Sequence, residues 1–199
     1  MIVMKQYSGA CEQNKEPILA LLRTVFSDAR DVLEIGSGTG QHAVYFAAQL
    51  PHLRWQTSDL KENHASIHAW IQEAGLENTL APLSLDVTGT SWPAHKYDGL
   101  FSANTTHIMS WPAVQHMFTG IGELLDTGAA FCLYGPFNYG GNYSSDSNRR
   151  FDAWLKDRDP ASGIRNFEAL DQLASANALT LEADYEMPVN NRLLVWKKC

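Results

Sequence analysis

VLEIGSGTGQHA, residues 32–43, reads as a buried strand that turns through glycines into a helix. Val32, Leu33 and Ile35 give the short apolar run a parallel strand needs, and Gly36, Gly38 and Gly40 remove side chains where backbone and ligand nearly touch. The helix begins as the glycines end. Its unpaired N–H groups and positive dipole end therefore face whatever the loop cradles. The dinucleotide fingerprint is GxGxxG, whereas here the order is GxGxG, with Gln41 where the third dinucleotide glycine would fall. A phosphate-binding P-loop is excluded, because no Lys-Ser or Lys-Thr follows the glycines. Glu34, two residues before Gly36, places a carboxylate that suits a ligand with a cationic group better than a pyrophosphate.

Working outward, LRWQTSD reads as a second strand closed by Asp59, an acid about 20 residues beyond the glycine turn and so placed to accept from two ribose hydroxyls. Upstream, EQNKEPILALLRTVFSD carries Ile18, Leu21, Leu22, Val25 and Phe26 at helical spacing. Pro17 is expected in the first turn of that helix, which puts its start near Glu12 to Lys15. Packed antiparallel to the first strand, the helix would let Tyr7, Asn14 and Lys15 overhang the glycine loop. KENHASIHAWIQEAGL reads as a helix stopping at Gly75, and its His64 and His68, four apart with no third ligand, read as a solvated face and not a metal site.

Leu80 to Val87 is expected to be the third strand, ended by Asp86. In YDGLFSANTTHIM, apolar Leu100 and Phe101 give way to Ser102, Ala103, Asn104 and Thr105, a change of character that marks the mouth of a site. His107 follows as a base, an acceptor-positioning group or a structural hydrogen-bonder. Ser110 caps the next helix, expected to run to Gly128, and AAFCLYGPF makes the fifth strand, ending at Gly135-Pro136. Residues 134–165 then break the alternation: Phe137, Tyr139 and Tyr143 stand among Gly, Asn and Ser, followed by a helix around NRRFDAWLKDRD. A polar excursion with exposed-looking aromatics at the end of a central strand reads as an acceptor-binding lid. Asn166 to Ala176 gives a last helix, and LTLEADYEM and RLLVWKK form two strands about a PVNN turn in which Asn190-Asn191 is expected to take the left-handed dihedrals.

The chain has 199 residues, 45% of them hydrophobic, and a formal net charge of -7. It is long enough for one well-buried domain, expected over 1–199 with an N-terminal segment and helix at 1–27. No Lys/Arg block supports nucleic-acid or anionic-membrane partners, and no stretch approaches a membrane span. Cys11, Cys132 and Cys199 lack metal-ligand spacing and read as free thiols in a reducing compartment, and with no basic-plus-apolar leader this gives a cytoplasmic expectation.

The acidic residue, apolar residue and GxGxG at 34–40 resemble motif I of the class I S-adenosylmethionine-dependent methyltransferases. Within that class NKEP at 14–17, EIGSGTGQHA at 34–43, YGPF at 134–137 and MPVNNRLLV at 187–195 resemble a methyltransferase-like family known only as a domain of unknown function. The resemblance implies an α/β, doubly wound Rossmann-like fold with a mixed seven-stranded sheet and a C-terminal antiparallel hairpin strand. It implies S-adenosyl-L-methionine as cofactor, held by Glu34, Gly36, Ser37, Gly38, Gly40, Asp59, Asp86, the backbone of Val87 and Asn104, with Asn14 and Lys15 overhanging. Asn104, His107 and Tyr134 are the expected catalytic residues, and Phe137, Tyr139, Asn190 and Asn191 the expected contacts of a small-molecule acceptor. Two rivals stay open: a cofactor-binding protein without catalysis, acting as a sensor or subunit, and a nicotinamide-dependent oxidoreductase, which the glycine spacing and the lack of a Tyr-xxx-Lys pair disfavour.

Overall fold

In the computed structural model, which describes residues 5–199, the first helix is α1 (Gly9–Val25). It starts earlier than its apolar face suggests, because the Ser8 hydroxyl accepts from the Cys11 N–H and caps the end. Pro17 therefore lies well inside α1 and not in its first turn. The expected segment 1–27 is thus partly seen, residues 1–4 lying outside the described range.

The regular alternation follows as β1 (Asp31–Ile35), α2 (Gln41–Gln49), β2 (Arg54–Asp59), α3 (His64–Ala74), β3 (Thr79–Ser84), β4 (Tyr97–Ala103), α4 (Trp111–Leu124) and β5 (Leu125–Gly135). The excursion holds β6 (Phe137–Asn138), α5 (Asp146–Arg158) and β7 (Arg165–Asn166), and the chain closes with α6 (Phe167–Ala176), β8 (Leu179–Met187) and β9 (Asn191–Lys198). The seven-stranded sheet has the order β3-β2-β1-β4-β5-β9-β8. Its first five strands are parallel, while β9 is antiparallel to both β5 and β8. The winding order of the strands reverses between β1 and β4, so the ends of those strands frame the crevice where open α/β sheets bind ligands.

The pleat sorts the core into two layers. Along β5, Phe131 and Leu133 face α4 and α6, and Cys132 and Tyr134 face α1 and α2. In the first layer Phe131 stacks on Trp196 at 5.6 Å while Phe118 meets both edge-on. In the second, Phe46, Trp55 and Phe101 form a mutual cluster.

Three further features differ from the sequence expectation. β3 stops at Ser84, and Asp86 accepts from the Thr88 N–H and hydroxyl, so it organises the turn after the strand instead of ending it. α4 stops at Leu124 and not at Gly128: the register steps from Tyr97↔Leu125 to Gly99↔Ala130, and Gly128, at φ 85°, lies in the bulge between them. In the β8–β9 turn the left-handed pair is Val189 and Asn190, at φ 60° and 58°, whereas Asn191 is extended. A β-branched residue in that region is strained. Asn148 of α5 donates to the Asn190 carbonyl and Asn190 to the Ser147 hydroxyl, which hold the turn from outside. Among the described residues no helix is long and apolar enough to cross a membrane.

Candidate functional site

The glycine loop runs from the end of β1 to the start of α2, with Gly36, Gly38 and Gly40 at φ 75°, 56° and 95°. Each has its own reason to be glycine. A Cβ on Gly36 would lie 2.6 Å from Thr105 Cγ2, and one on Gly40 would lie 3.0 Å from the Ile67 backbone. A Cβ on Gly38 meets nothing within 4 Å, so this glycine borders open space that a ligand can fill. The N–H groups of Gly36 and Ser37 donate to the Ser58 carbonyl, which ties the loop to the end of β2. Gly40 caps α2 in the left-handed conformation with no side-chain cap, and of the first-turn N–H groups that of Gln41 donates to the Thr39 hydroxyl.

Asp59 ends β2 beneath the loop. Its Oδ2 accepts from the Gly38 N–H at 2.6 Å, and its Oδ1 accepts from the Leu60 N–H and the Asn63 amide. Glu34 is only 1% exposed, and its Oε2 accepts from the Ser37 hydroxyl at 2.9 Å and the Trp55 indole N–H at 3.1 Å. Burial pushes the Glu34 pKa up to about 7; the two donors lower it and the nearby Asp59 charge raises it. A carboxyl raised in the folded state favours folding below its ordinary value and loses that contribution as pH rises through the folded value. Unfolding of the unligated protein should therefore show this group's contribution falling between pH 4.5 and about 7, and Glu34→Gln should flatten that part of the urea-midpoint profile.

At the other side of the crevice, Asn104 follows β4 at φ 59°, and its N–H donates to the Tyr134 carbonyl at 2.8 Å. Its Oδ1 and His107 Nδ1 converge, lying 3.9 and 3.8 Å from where a Gly135 Cβ would stand. His107 is buried with its ring edge-on to Phe151, and burial, helped by the Arg165 charge, pushes its pKa down to about 4. Near neutral pH it is an uncharged imidazole. Asp86 is exposed and held below the usual carboxylate range by Thr88, and Val87 is buried beside it.

Tyr134 points to the opposite side of β5, towards α1 and α2. Burial raises its pKa, and the neighbouring Asn14 and Asn191 side chains pull it back. Asn14 is buried, with its Oδ1 2.7 Å from His42 Nε2. Lys15 pairs with Glu12 and lies over the Tyr45 ring, 4.9 Å from its centroid. It lines a groove of about 230 Å³ between α1, α2 and α3 together with Cys11, His42 and Trp70. The structure thus joins Asn104 with His107, and Asn14 with Tyr134 and Asn191, as two groups on opposite faces of β5. His42 is a buried polar centre that periodicity hides, because it falls in the first turn of α2 among apolar neighbours.

The excursion is stitched down, and its aromatics are not free. Phe137 is 1% exposed and packs in the α4 and α6 layer, against the expectation of an exposed aromatic, because β6 pairs with β7 at Phe137↔Arg165 and turns its ring inward. Tyr139 stacks on Phe167 at 5.3 Å and donates to Asp184, and burial and that acid push its pKa up. Together with Ser144, Glu186, Asn190, Asn191 and Arg192 it lines a cavity of about 350 Å³. Asp152 is the buried hub of the segment: it accepts from the Ile164 N–H at 2.7 Å, the Tyr143 hydroxyl at 2.6 Å and Lys156 at 2.6 Å. Burial works to raise its pKa, but those donors together hold it below the usual value. Arg165 donates to the Thr106, Met109 and Ala161 carbonyls, and the Gly163 N–H donates to the His107 carbonyl, so the segment grips the loop that carries His107. Tyr143→Phe should cost about 1 kcal/mol in urea unfolding. An unchanged midpoint would show that the Tyr143–Asp152 bond contributes nothing.

The sequence pattern of a family described as "Protein of unknown function (DUF938)" matches residues 5–198. Solved structures with this fold include an O-methyltransferase family protein from Burkholderia thailandensis, 13% identical with a TM-score of 0.83 over 92% of this chain and 56% of that one. An O-methyltransferase family 2 protein from Planctomyces limnophilus, in complex with apigenin, is 13% identical with a TM-score of 0.85 over 96% of this chain and 58% of that one. An O-methyltransferase from neocarzinostatin biosynthesis, in complex with S-adenosylmethionine and 2-hydroxy-5-methyl naphthoic acid, is 14% identical with a TM-score of 0.78 over 96% of this chain and 55% of that one. The chain spans little more than half the length of these structures, and at such identities the likeness is one of fold.

Proposed function

Because the chain belongs to the DUF938 family of proteins of unknown function and has a methyltransferase-like fold, we propose that it is an S-adenosylmethionine-dependent methyltransferase acting on a small molecule. The observation that carries this reading is the glycine loop itself: three left-handed glycines, one of them open to empty space, with the Asp59 carboxylate bonded to the Gly38 N–H at the lip. That cradle suits a ligand with a ribose at the acid and an anionic group at the start of α2. Gly36, Ser37, Gly38 and Gly40 shape the loop, Asp59 takes the ribose hydroxyls, Asp86 and Val87 flank the base, and Asn104 borders the methionine part.

The chemistry supplied by the bound cofactor is a methyl group already activated on sulfonium. Left to the protein are binding, alignment and exclusion of water. Asn104 and His107 are placed to orient an acceptor, and His107, held uncharged by burial and the Arg165 charge, would offer it a ring nitrogen for a hydrogen bond. A small acceptor agrees with an acidic chain and with the aromatic ligands named for two of the structural neighbours. A second reading, cofactor binding without turnover, is favoured by one feature: His107 lies under Phe151 in a segment tied down at Arg165 and Gly163. Incubation with the cofactor and a panel of phenols, thiols and amines, reading formation of the demethylated product, separates the two. Turnover on at least one phenol supports the transferase, while binding with no turnover on the whole panel supports the second reading.

A further inference from the structure

Among the described residues Glu34 is a buried carboxyl without a buried counter-ion. Among the described residues its donors are the Ser37 hydroxyl and the Trp55 indole, both neutral and both on Oε2, which leaves Oε1 for a proton. The surroundings on every side agree. β2 contributes the like charge of Asp59, α1 contributes Cys11, whose thiol is raised by burial, and the register partner on β4 is Phe101. On α2, His42 is held neutral, and Lys15 on α1 is turned outward to Glu12. A cation placed against the glycine loop would be the compensating charge that the protein itself withholds, and attraction in a site of low polarity is large.

Resting on the cofactor proposed above, we infer that Glu34 makes the site discriminate a sulfonium from its neutral thioether product, by releasing its proton to solvent when the cation binds. The balance is one carboxylic acid plus one cation giving a carboxylate beside the cation and one free proton. Transfer of the methyl group removes the sulfonium charge, the carboxylate takes a proton back, and the product is held less tightly. Ser37 links the carboxyl directly to the loop.

Calorimetric titration of the wild-type protein with S-adenosylmethionine and with S-adenosylhomocysteine, from pH 6 to pH 8 in two buffers of different ionisation enthalpy, tests this. The expected result is release of up to one proton with the sulfonium near pH 6.5, an affinity that tightens about tenfold from pH 6 to pH 8, and a smaller change with the thioether. Glu34→Gln should abolish the proton release and narrow the preference between the ligands. Sulfonium binding without proton release in the wild-type protein would overturn the role of Glu34 and leave the cofactor intact. Absence of binding by both ligands would overturn the two together.

Discussion

Phe137→Ala should lower the stability of the unligated protein by about 3–5 kcal/mol, the cost of removing a fully buried aromatic ring. The ring is 1% exposed and packs in the layer formed by α4, α6 and the sheet, beside Phe131, Leu133 and Leu194. It also holds the base of the excursion, because β6 and β7 pair through Phe137 and Asn138. Urea unfolding followed by circular dichroism measures the loss. A change below about 1 kcal/mol would mean that the ring is not part of the core.

The second large effect falls on ligand binding. Asp59→Ala should weaken S-adenosylmethionine binding by about 1.5–3 kcal/mol, the range for hydrogen bonds to a charged group, or roughly 10- to 150-fold in Kd. Two losses add. The carboxylate would no longer be there for the proposed ribose, and the Gly38 N–H, which donates to Oδ2 at 2.6 Å, would lose its anchor and free the loop. The Leu60 N–H and the Asn63 amide lose their acceptor as well, so the start of α3 loosens with it. Wild-type affinity in a folded Asp59→Ala protein would remove Asp59 from the site.

Much of the fold was legible because the glycine loop fixes strand, turn and helix in sequence, and the later β–α alternation repeats its hydrophobic pattern. The place of Asp59 at the end of β2, against the glycine loop, could be read from its distance to the glycines alone. What escaped was set by contacts across the chain. Phe137 looks exposed among Gly, Pro and Asn, yet a two-residue pairing with Arg165 turns it inward. Val189 has no local reason to be left-handed, and the turn is held there by Asn148 and Ser147 of α5, over 40 residues earlier. His42 and Asp152 carry buried hydrogen-bond networks whose partners come from other elements, so no period or motif marks them. Asn14 and Tyr134 were both singled out, but the structure puts them together with Asn191 on the far side of β5 from Asn104 and His107.

Titration of the protein with S-adenosylmethionine, S-adenosylhomocysteine, NAD and ATP, read as thermal stabilisation and confirmed by calorimetry, tests the cofactor most directly. The account predicts saturable stabilisation by the two adenosyl amino acids, about 2.7 kcal/mol at a hundredfold excess over Kd, with little effect of NAD or ATP. Equal stabilisation by NAD, or none by either adenosyl ligand, would contradict it.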